Sequence, residues 1–247
     1  MHANQTFGRI VNRLAFVVLA LLCVAPAQAG YTPVAPCTYD SEHGHAAILS
    51  HAYGGDFVAD GLGFTNGNVT AVRCDDSDPA GGYADQCWTA NLLTARALAR
   101  FGGFEQCLGV VLGKAGGLAQ ELFTVSGSGF NVAGSVDGLD LSSGPFRFTR
   151  GGEGEPCTSF DTDNILGHDQ MVSYRVTGPN GLDRFVLFFE DSTAAQNSDW
   201  DFNDLVVEIE GAGPHAIPIP PAVWSALAVM LSGGLWSARA RVRAWFR

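Results

Sequence analysis

The sequence predicts an all-β fold, a jelly-roll-like β-sandwich over residues 30–213 with one short helix. Glycine, present 31 times in the chain, punctuates a series of short apolar segments. Several of these segments alternate apolar and polar residues with a period of two, as half-buried strands do. Frequent turns between short strands favour a sandwich over an α/β fold. About 185 residues are enough to bury one good core, so we expect one domain.

Two hairpins are predicted from turn residues that separate alternating segments. Asn66-Gly67 forms the first turn, and the turn at 178–181 joins Met171–Thr177 to 184–189. Residues 184–189 are apolar on both faces, which predicts a central strand. Residues 205–210 alternate, which predicts a strand with one solvent-exposed face. Further strands are predicted at 108–112, 121–125, 129–136 and 146–149.

The one predicted helix covers residues 89–101. Apolar residues recur there at helical spacing, and Gly102-Gly103 follows as a stop signal. These apolar residues are Leu92, Ala95, Leu98 and Ala99.

Within the predicted domain, three histidines precede the first predicted hairpin, at positions 43, 45 and 51. Two histidines one residue apart could ligate a metal from a strand. Nothing nearby in the sequence completes such a site, so we interpret His43, His45 and His51 as surface or loop residues.

The predicted domain is strongly acidic. All 25 acidic residues lie between residues 30 and 215, together with only eight of the 14 basic residues, which gives a net charge of −17 there. Such a surface argues against nucleic acid as a partner. It favours solubility, cation binding, or both.

An acidic stretch near the end of this domain carries the candidate site. Oxygen-bearing side chains fall at positions 199, 201 and 203, with aromatic residues at 200 and 202 between them. An extended backbone would place the oxygens on one face and the aromatics on the other. Grouped carboxylates repel one another unless a cation or backbone N–H groups compensate, and Ca²⁺ prefers hard oxygen ligands. The candidate calcium ligands are Glu190, Asp191, Asp199, Asp201, Asn203 and Asp204.

An alternative interpretation of this stretch needs no metal. The acidic side chains would then cap turns and accept hydrogen bonds from backbone N–H groups. Trp200 and Phe202 would be ordinary core residues in that case. The sequence leaves both interpretations open.

Residues 1–29 are predicted to be a secretory signal peptide that is cut after Ala29. Arg9 and Arg13 precede an apolar run, and Ala27-Gln28-Ala29 provides the small-x-small cleavage site. A membrane anchor is the alternative, but an apolar run of about 11 residues is too short to span a bilayer.

Residues 214–247 are predicted to be a sorting segment with a transmembrane helix at about 220–238. The stretch carries no charge and ends in a cluster of arginines, which would hold the C-terminus in the cytoplasm. A buried helix of a soluble protein is the alternative, but such a helix would carry a polar stripe.

Loss of the signal peptide leaves five cysteines, which are expected to pair for the most part in an oxidising compartment, with one left over. Cys74 with Cys87 is the favoured pair because these two residues bracket one loop. The remaining connectivity is open. The candidates are Cys37, Cys74, Cys87, Cys107 and Cys157.

The C-terminal segment resembles the PEP-CTERM sorting signal in its Pro-rich V-P-L-P-A-A-V-W form. The matching residues are Pro218, Pro220, Pro221, Ala222 and Trp224, followed by the uncharged stretch and the arginines. The resemblance implies that the C-terminal helix holds the precursor in the bacterial inner membrane until an exosortase removes it, and that signal peptidase processes the other end. The product would reach the cell surface or the extracellular polysaccharide matrix.

The domain itself resembles a family of unknown function that often precedes such tails. Its F-E-D…D-x-D-F-N-D signature is matched by Phe189-Glu190-Asp191 and by residues 199–204. The segment around His168 is similar to that family's G-x-D-H-M-V-T-Y, with a different residue order. The resemblance implies a β-rich extracellular domain and no established catalytic activity.

These features together predict a non-catalytic exported surface or matrix protein with a structural calcium site. The chain contains no G-x-S-x-G and no H-E-x-x-H, which argues against an enzyme. A carbohydrate-binding, lectin-like module of the polysaccharide matrix is the alternative, with Trp88, Trp200 and Tyr83 as candidate stacking residues.

Overall fold

A computed structural model describes residues 31–37, 39, 41–74, 85–113, 116–153, 156–191 and 198–215. All of these residues belong to one compact unit, which ends at His215. The signal peptide and the sorting motif both lie outside the described residues and stay predictions. Within the described ranges, every helix is too short or too polar to cross a bilayer.

The described chain contains thirteen strands and one α-helix, which confirms a β protein with a single short helix. The helix α1 is His45–Tyr53. Short 3₁₀ turns occur at Asp161–Asp163, Ile165–Gly167 and Pro179–Gly181. The strands are β1 Val58–Asp60, β2 Gly63–Thr65, β3 Thr70–Cys74, β4 Trp88–Ala99, β5 Gln106–Leu112, β6 Ala119–Ser128, β7 Asn131–Ala133, β8 Ser135–Asp140, β9 Phe146–Gly152, β10 Cys157–Thr158, β11 Met171–Thr177, β12 Asp183–Phe189 and β13 Leu205–Pro214.

The strand pairs are antiparallel, in the order β1-β2-β3-β11-β12-β13-β4-β9-β5-β6-β7, with β8 beside β4 and β10 beside β9. Both predicted hairpins are confirmed. In the first, Asn66 Oδ1 accepts hydrogen bonds from the backbone N–H groups of Asn68 and Val69, and Gly67 takes the left-handed φ of 87°. In the second, β12 lies between β11 and β13, as a central strand should.

Two hydrophobic clusters lie on the two faces of β11, β12 and β13. We call the first cluster the inner core. It includes Leu187 and Val207 together with Leu108 and Phe148 from β5 and β9. Strands that are distant in the sheet order therefore share one core, so the sheet folds over on itself. We call the second cluster the outer core. It packs Ile48 and Leu49 of α1 against side chains of the opposite face; these are Val172, Tyr174, Val186, Phe188, Phe202 and Val206.

The helix predicted at 89–101 is wrong, because this segment is the long strand β4. It pairs with β13 on one side and with β8 and β9 on the other. Leu93 and Ala95 are buried, whereas Leu92 is 59% exposed, so burial follows a period of two. Because alanine is small, the spacing of apolar residues in this segment fits both a helix and a strand. Pairing with the neighbouring strands determines that the segment forms a strand.

Two further expectations are corrected by α1. His45 is a buried residue of this helix and is not a surface or loop histidine. The predicted solvent-exposed face of β13 is covered in part, since Val206 and Glu208 are buried and Glu210 is exposed. Tyr53 of α1 donates a hydrogen bond of 2.6 Å to Glu208 Oε2, and Arg96 Nε donates to Oε1 at 2.7 Å. A paired carboxylate is thereby accommodated beneath the helix.

Candidate metal site

The segment that leads into β13 does not run as an extended strand. Trp200 and Phe202 have φ angles of 61° and 55°, in the left-handed region that bulky side chains rarely adopt. The predicted strict alternation of faces is therefore wrong, although Phe202 is fully buried in the outer core and Trp200 packs against it. The backbone N–H of Ala35 donates to the carbonyl of Trp200 and fixes this turn.

The six predicted ligands fall into two groups. Asp199 and Asp201 meet Glu42, and one carboxylate oxygen from each lies within 4.8 Å of the others. We call these three residues and Asn203 the Glu42 cluster. The other three predicted ligands form their own group within the same limit. That group, with Gln106, is called the Glu190 cluster; its carboxylates are Glu190, Asp191 and Asp204.

Asn203 connects the parts of the Glu42 cluster. Its Nδ2 donates to Asp201 Oδ2 at 2.7 Å and to Cys37 Sγ at 3.3 Å, and its backbone N–H donates to Asp201 Oδ1. Asn203 is 1% exposed. Among the described residues, neither Asn203 Oδ1 nor Glu42 Oε2 finds a hydrogen-bond partner, although both atoms are buried. Buried oxygens of this kind require a partner, and a cation is one.

His45 fixes the backbone of this cluster from below. Its Nε2 donates to the carbonyl oxygen of Asp201 at 2.9 Å, and its Nδ1 accepts from the hydroxyl of Tyr174 at 3.0 Å. In the neutral imidazole with the proton on Nε2, Nδ1 is the acceptor, and this tautomer makes both bonds. Burial accordingly lowers the pKa of His45 from 6.5 to about 3.

The electrostatics of the Glu42 cluster favour an added positive charge. Burial raises the pKa of the Glu42 carboxyl from 4.5 to about 7, and the charges of Asp201 and Asp199 add to the rise. Burial also raises the pKa of Asp201. The pKa of the Cys37 thiol rises from 9.0 to about 12, through burial and its hydrogen bond to Asp201. Cys37 is thus a neutral thiol, and the ligands left are hard oxygens that suit Ca²⁺.

The Glu190 cluster lies deeper. Glu190 is 1% exposed and Asp191 is 6% exposed. The backbone N–H of Asp191 donates to Asp204 Oδ2 at 2.7 Å, and Gln106 Nε2 donates to Asp191 Oδ2 at 2.9 Å. Burial, together with the negative charges of Glu190 and Asp191, raises the pKa of Asp204 from 3.8 to about 10.

Sequence reasoning missed two residues of these clusters. Glu42 lies just before α1, 157 positions ahead of Asp199, and Gln106 begins β5. Neither residue stands in an acidic motif. Only the long-range pairing of the chain brings them to the loop before β13, so no local pattern could have identified them.

A cleft of about 540 Å³ adjoins the Glu42 cluster. Its walls are the segment 34–37, the first turn of α1 and the turn between β1 and β2. Arg73 and Tyr174 line it as well. The cleft shares Cys37 and Asp201 with the Glu42 cluster, so the two features are continuous.

The candidate stacking residues are placed differently from one another. Trp88 is fully buried and makes edge contacts with Phe148 and Phe185, so it cannot stack on a sugar. Trp200 is half-buried, with its ring centroid 5.6 Å from that of His168. Tyr83 lies outside the described residues.

The cysteines leave the predicted pairing as it was. Cys74 is a buried thiol in this structure, as is Cys157. Cys37 and Cys107 are partly buried thiols. The disulfide between Cys74 and Cys87 stays a prediction for the exported protein.

Comparisons with known proteins give weak structural similarity alone. No family model matches the chain, and no curated protein matches it. A Chromobacterium violaceum lectin solved with α-methyl-fucoside is similar at a TM-score of 0.35 and 20% identity, over 53% of this chain and 97% of the lectin. A Ralstonia solanacearum high-affinity mannose-binding lectin is similar at a TM-score of 0.29 and 20% identity, over 61% of this chain and 99% of the lectin. Similarity this low says nothing about the ligand of this chain.

Proposed function

We propose that this protein is a non-catalytic, exported surface or matrix domain in which the Glu42 cluster holds a structural Ca²⁺ ion. The observation that carries the proposal is the meeting of Glu42, Asp199 and Asp201 with the buried amide of Asn203. Two of the oxygens there, Asn203 Oδ1 and Glu42 Oε2, have no hydrogen-bond partner in the described chain. Three carboxylates and one amide oxygen form a donor set that Ca²⁺ prefers.

A cation in this position would connect distant parts of the chain. Glu42 precedes α1, whereas Asp199 and Asp201 precede β13. Ion binding would hold the helix against the outer face of the sheet and offset the repulsion among the carboxylates. A ligand that binds only the folded state stabilises it by mass action, by about 2.7 kcal/mol at one hundred times the dissociation constant.

The delivery of the domain forms the second part of the proposal, supported by the sequence alone. Signal peptidase would remove residues 1–29, and an exosortase would remove the PEP-CTERM-like tail after its helix has held the precursor in the membrane. The jelly-roll-like domain would then reside at the cell surface or in the matrix. Mass spectrometry of the mature protein from its host should find an N-terminus at Gly30 and a C-terminus at or within the Pro-rich motif. Intact ends would contradict this part.

Calorimetric titration with Ca²⁺, paired with thermal unfolding, tests the ion site. We expect saturable heat and a higher melting temperature in the wild-type chain, and loss of both in Glu42→Gln, which removes one charged ligand. Glu153→Gln is the matched control, because Glu153 is exposed and outside both clusters. No heat and no rise in melting temperature in the wild type would remove the metal from the proposal.

Carbohydrate binding is the second candidate function, favoured by the cleft of about 540 Å³ that shares Asp201 with the Glu42 cluster. A cleft of this size is large enough for a small ligand. A glycan array probed at high protein concentration, with and without Ca²⁺, decides the matter. Binding that Leu62→Trp abolishes would support this function, because Leu62 lines the cleft and is exposed. An array without hits would exclude it.

A further inference from the structure

We propose that the Glu190 cluster is a second divalent-cation site, separate from the Glu42 cluster and independent of it. The register of the sheet creates this cluster. Phe189 at the end of β12 pairs with Leu205 at the start of β13. The residues just beyond that pair, Glu190 and Asp204, therefore lie side by side, and Asp191 follows. One carboxylate oxygen from each of the three lies within 4.8 Å of the others, a spread that fits around one Ca²⁺ ion with oxygens at about 2.4 Å each.

Gln106 supplies the observation that points to a ligand. This residue is 0% exposed, and its Nε2 donates to Asp191 Oδ2 at 2.9 Å. The other atom of the same carboxamide, Oε1, is buried and has no hydrogen-bond partner among the described residues. Because both atoms share one carbon, Oε1 lies at the border of the carboxylate group. A cation between these oxygens would give Gln106 Oε1 the partner it lacks.

The charges of the cluster select a divalent ion. In their ionised forms, the three carboxylates contribute three negative charges, and the buried guanidinium of Arg150 contributes one positive charge beside them. Its Nη2 donates to the carbonyl oxygen of Asp191 at 3.1 Å. A divalent cation balances the remainder, whereas a monovalent ion leaves a buried negative charge, which is costly.

Gly102 forms the wall of this site and provides its test. A Cβ atom at Gly102 would lie 2.5 Å from Asp191 Oδ2 and 2.4 Å from Gln106 Nε2. A methyl group would therefore push both ligands out of position. The next residue, Gly103, has open space around its Cβ position, so Gly103→Ala is a matched control with the same added volume.

The experiment counts bound Ca²⁺ ions by native mass spectrometry of the full chain in detergent micelles. We expect two ions in the wild type and one in Glu42→Gln. In the Glu42→Gln background, Gly102→Ala should reduce the count to none and Gly103→Ala should leave it at one. Gln106→Met, of similar size but without the amide oxygen, should act like Gly102→Ala if the latter does not fold.

The outcomes separate the two sites. A Glu42→Gln chain that binds no ion overturns the second site and leaves the first standing. If the wild type binds only one ion, and that ion persists in Glu42→Gln and is lost in Gly102→Ala, the second site is supported and the first is refuted. Retention of that ion in both Gly102→Ala and Gln106→Met overturns the assignment to the Glu190 cluster.

Discussion

His45 shows how one buried side chain connects the helix, the sheet and the candidate site. Its two nitrogens bond to the carbonyl of Asp201 and the hydroxyl of Tyr174, and its ring lies 4.0 Å from that of Phe188, centroid to centroid. Burial disfavours a charged imidazole here, because it removes the water that would solvate the charge. The loop that carries Asp201 therefore depends on a neutral histidine.

Acidification is expected to destabilise the fold through His45. The pKa of His45 in the folded chain is about 3, below its ordinary value of 6.5. Below pH 6.5 the unfolded chain therefore takes up a proton that the folded chain does not. The contribution of neutral His45 to the free energy of unfolding is full above pH 6.5. It falls by about 1.4 kcal/mol per pH unit as the pH is lowered toward 3. Denaturant unfolding at several pH values should show a shallower loss in His45→Gln. His43→Gln, at an exposed position, should keep the wild-type slope. Equal slopes in all three chains would contradict this role.

Trp200 allows a test of backbone strain. Its φ of 61° is open to glycine and unfavourable for other residues. Both Trp200→Gly and Trp200→Ala lose the indole. The free energy of unfolding of the glycine variant should nevertheless be about 1 kcal/mol higher than that of the alanine variant. At Leu205, which lies in β13, the same pair of substitutions should give the opposite order, because glycine weakens a strand. Equal stability of the two Trp200 variants would mean that the turn is not strained.

At the scale of elements, β4 determines how the sheet closes. It is 12 residues long and lies between β13 and the β9-β5-β6 part of the sheet. Its pairings with β13 and β8 contain register shifts, which bend and twist a strand. A helix in this position would leave β13 without its neighbour and would separate the two parts of the inner core.

Neighbouring leucines in β4 distinguish a strand from a helix. Leu93 is 0% exposed in the inner core, whereas Leu92 is 59% exposed. Leu93→Ala should therefore cost about 2–5 kcal/mol of unfolding free energy. Leu92→Ala should stay within about 0.5 kcal/mol of the wild type. Denaturant midpoints of the two variants check this directly. A helix with Leu92 on its apolar face, as the sequence pattern predicted, would require Leu92→Ala to cost more unfolding free energy than Leu93→Ala.

At the scale of the whole domain, the central strands are buried on both faces. Leu187 and Val207 face the inner core, whereas Val186 and Val206 face the outer core beneath α1. Glu208 is the exception on the outer face, and it is satisfied by Tyr53 and Arg96. This two-sided burial makes β12 and β13 the rigid base on which both acidic clusters are positioned.

Local patterns in the sequence were enough for the hairpins and for the central position of β12, because turn residues and apolar runs are local signals. Local patterns failed for α1 and β4. In β4, alanines fit either period, and the choice came from pairing with β13. The acidic loop before β13 was identifiable from its own residues. Its division into two clusters was not, because that depends on Glu42 and on the left-handed turn at Trp200.

The contact of His45 with Asp201 joins residues 156 positions apart, and Ala35 bonds to Trp200 across a similar distance. A helix of nine residues is too short to persist alone in water, so α1 depends on strands made long after it. Folds dominated by such remote contacts form slowly, over milliseconds to seconds. We therefore expect the outer core to close late in folding. A chain truncated before β13 would lack Val206 and leave Ile48 and Leu49 with an incomplete packing surface.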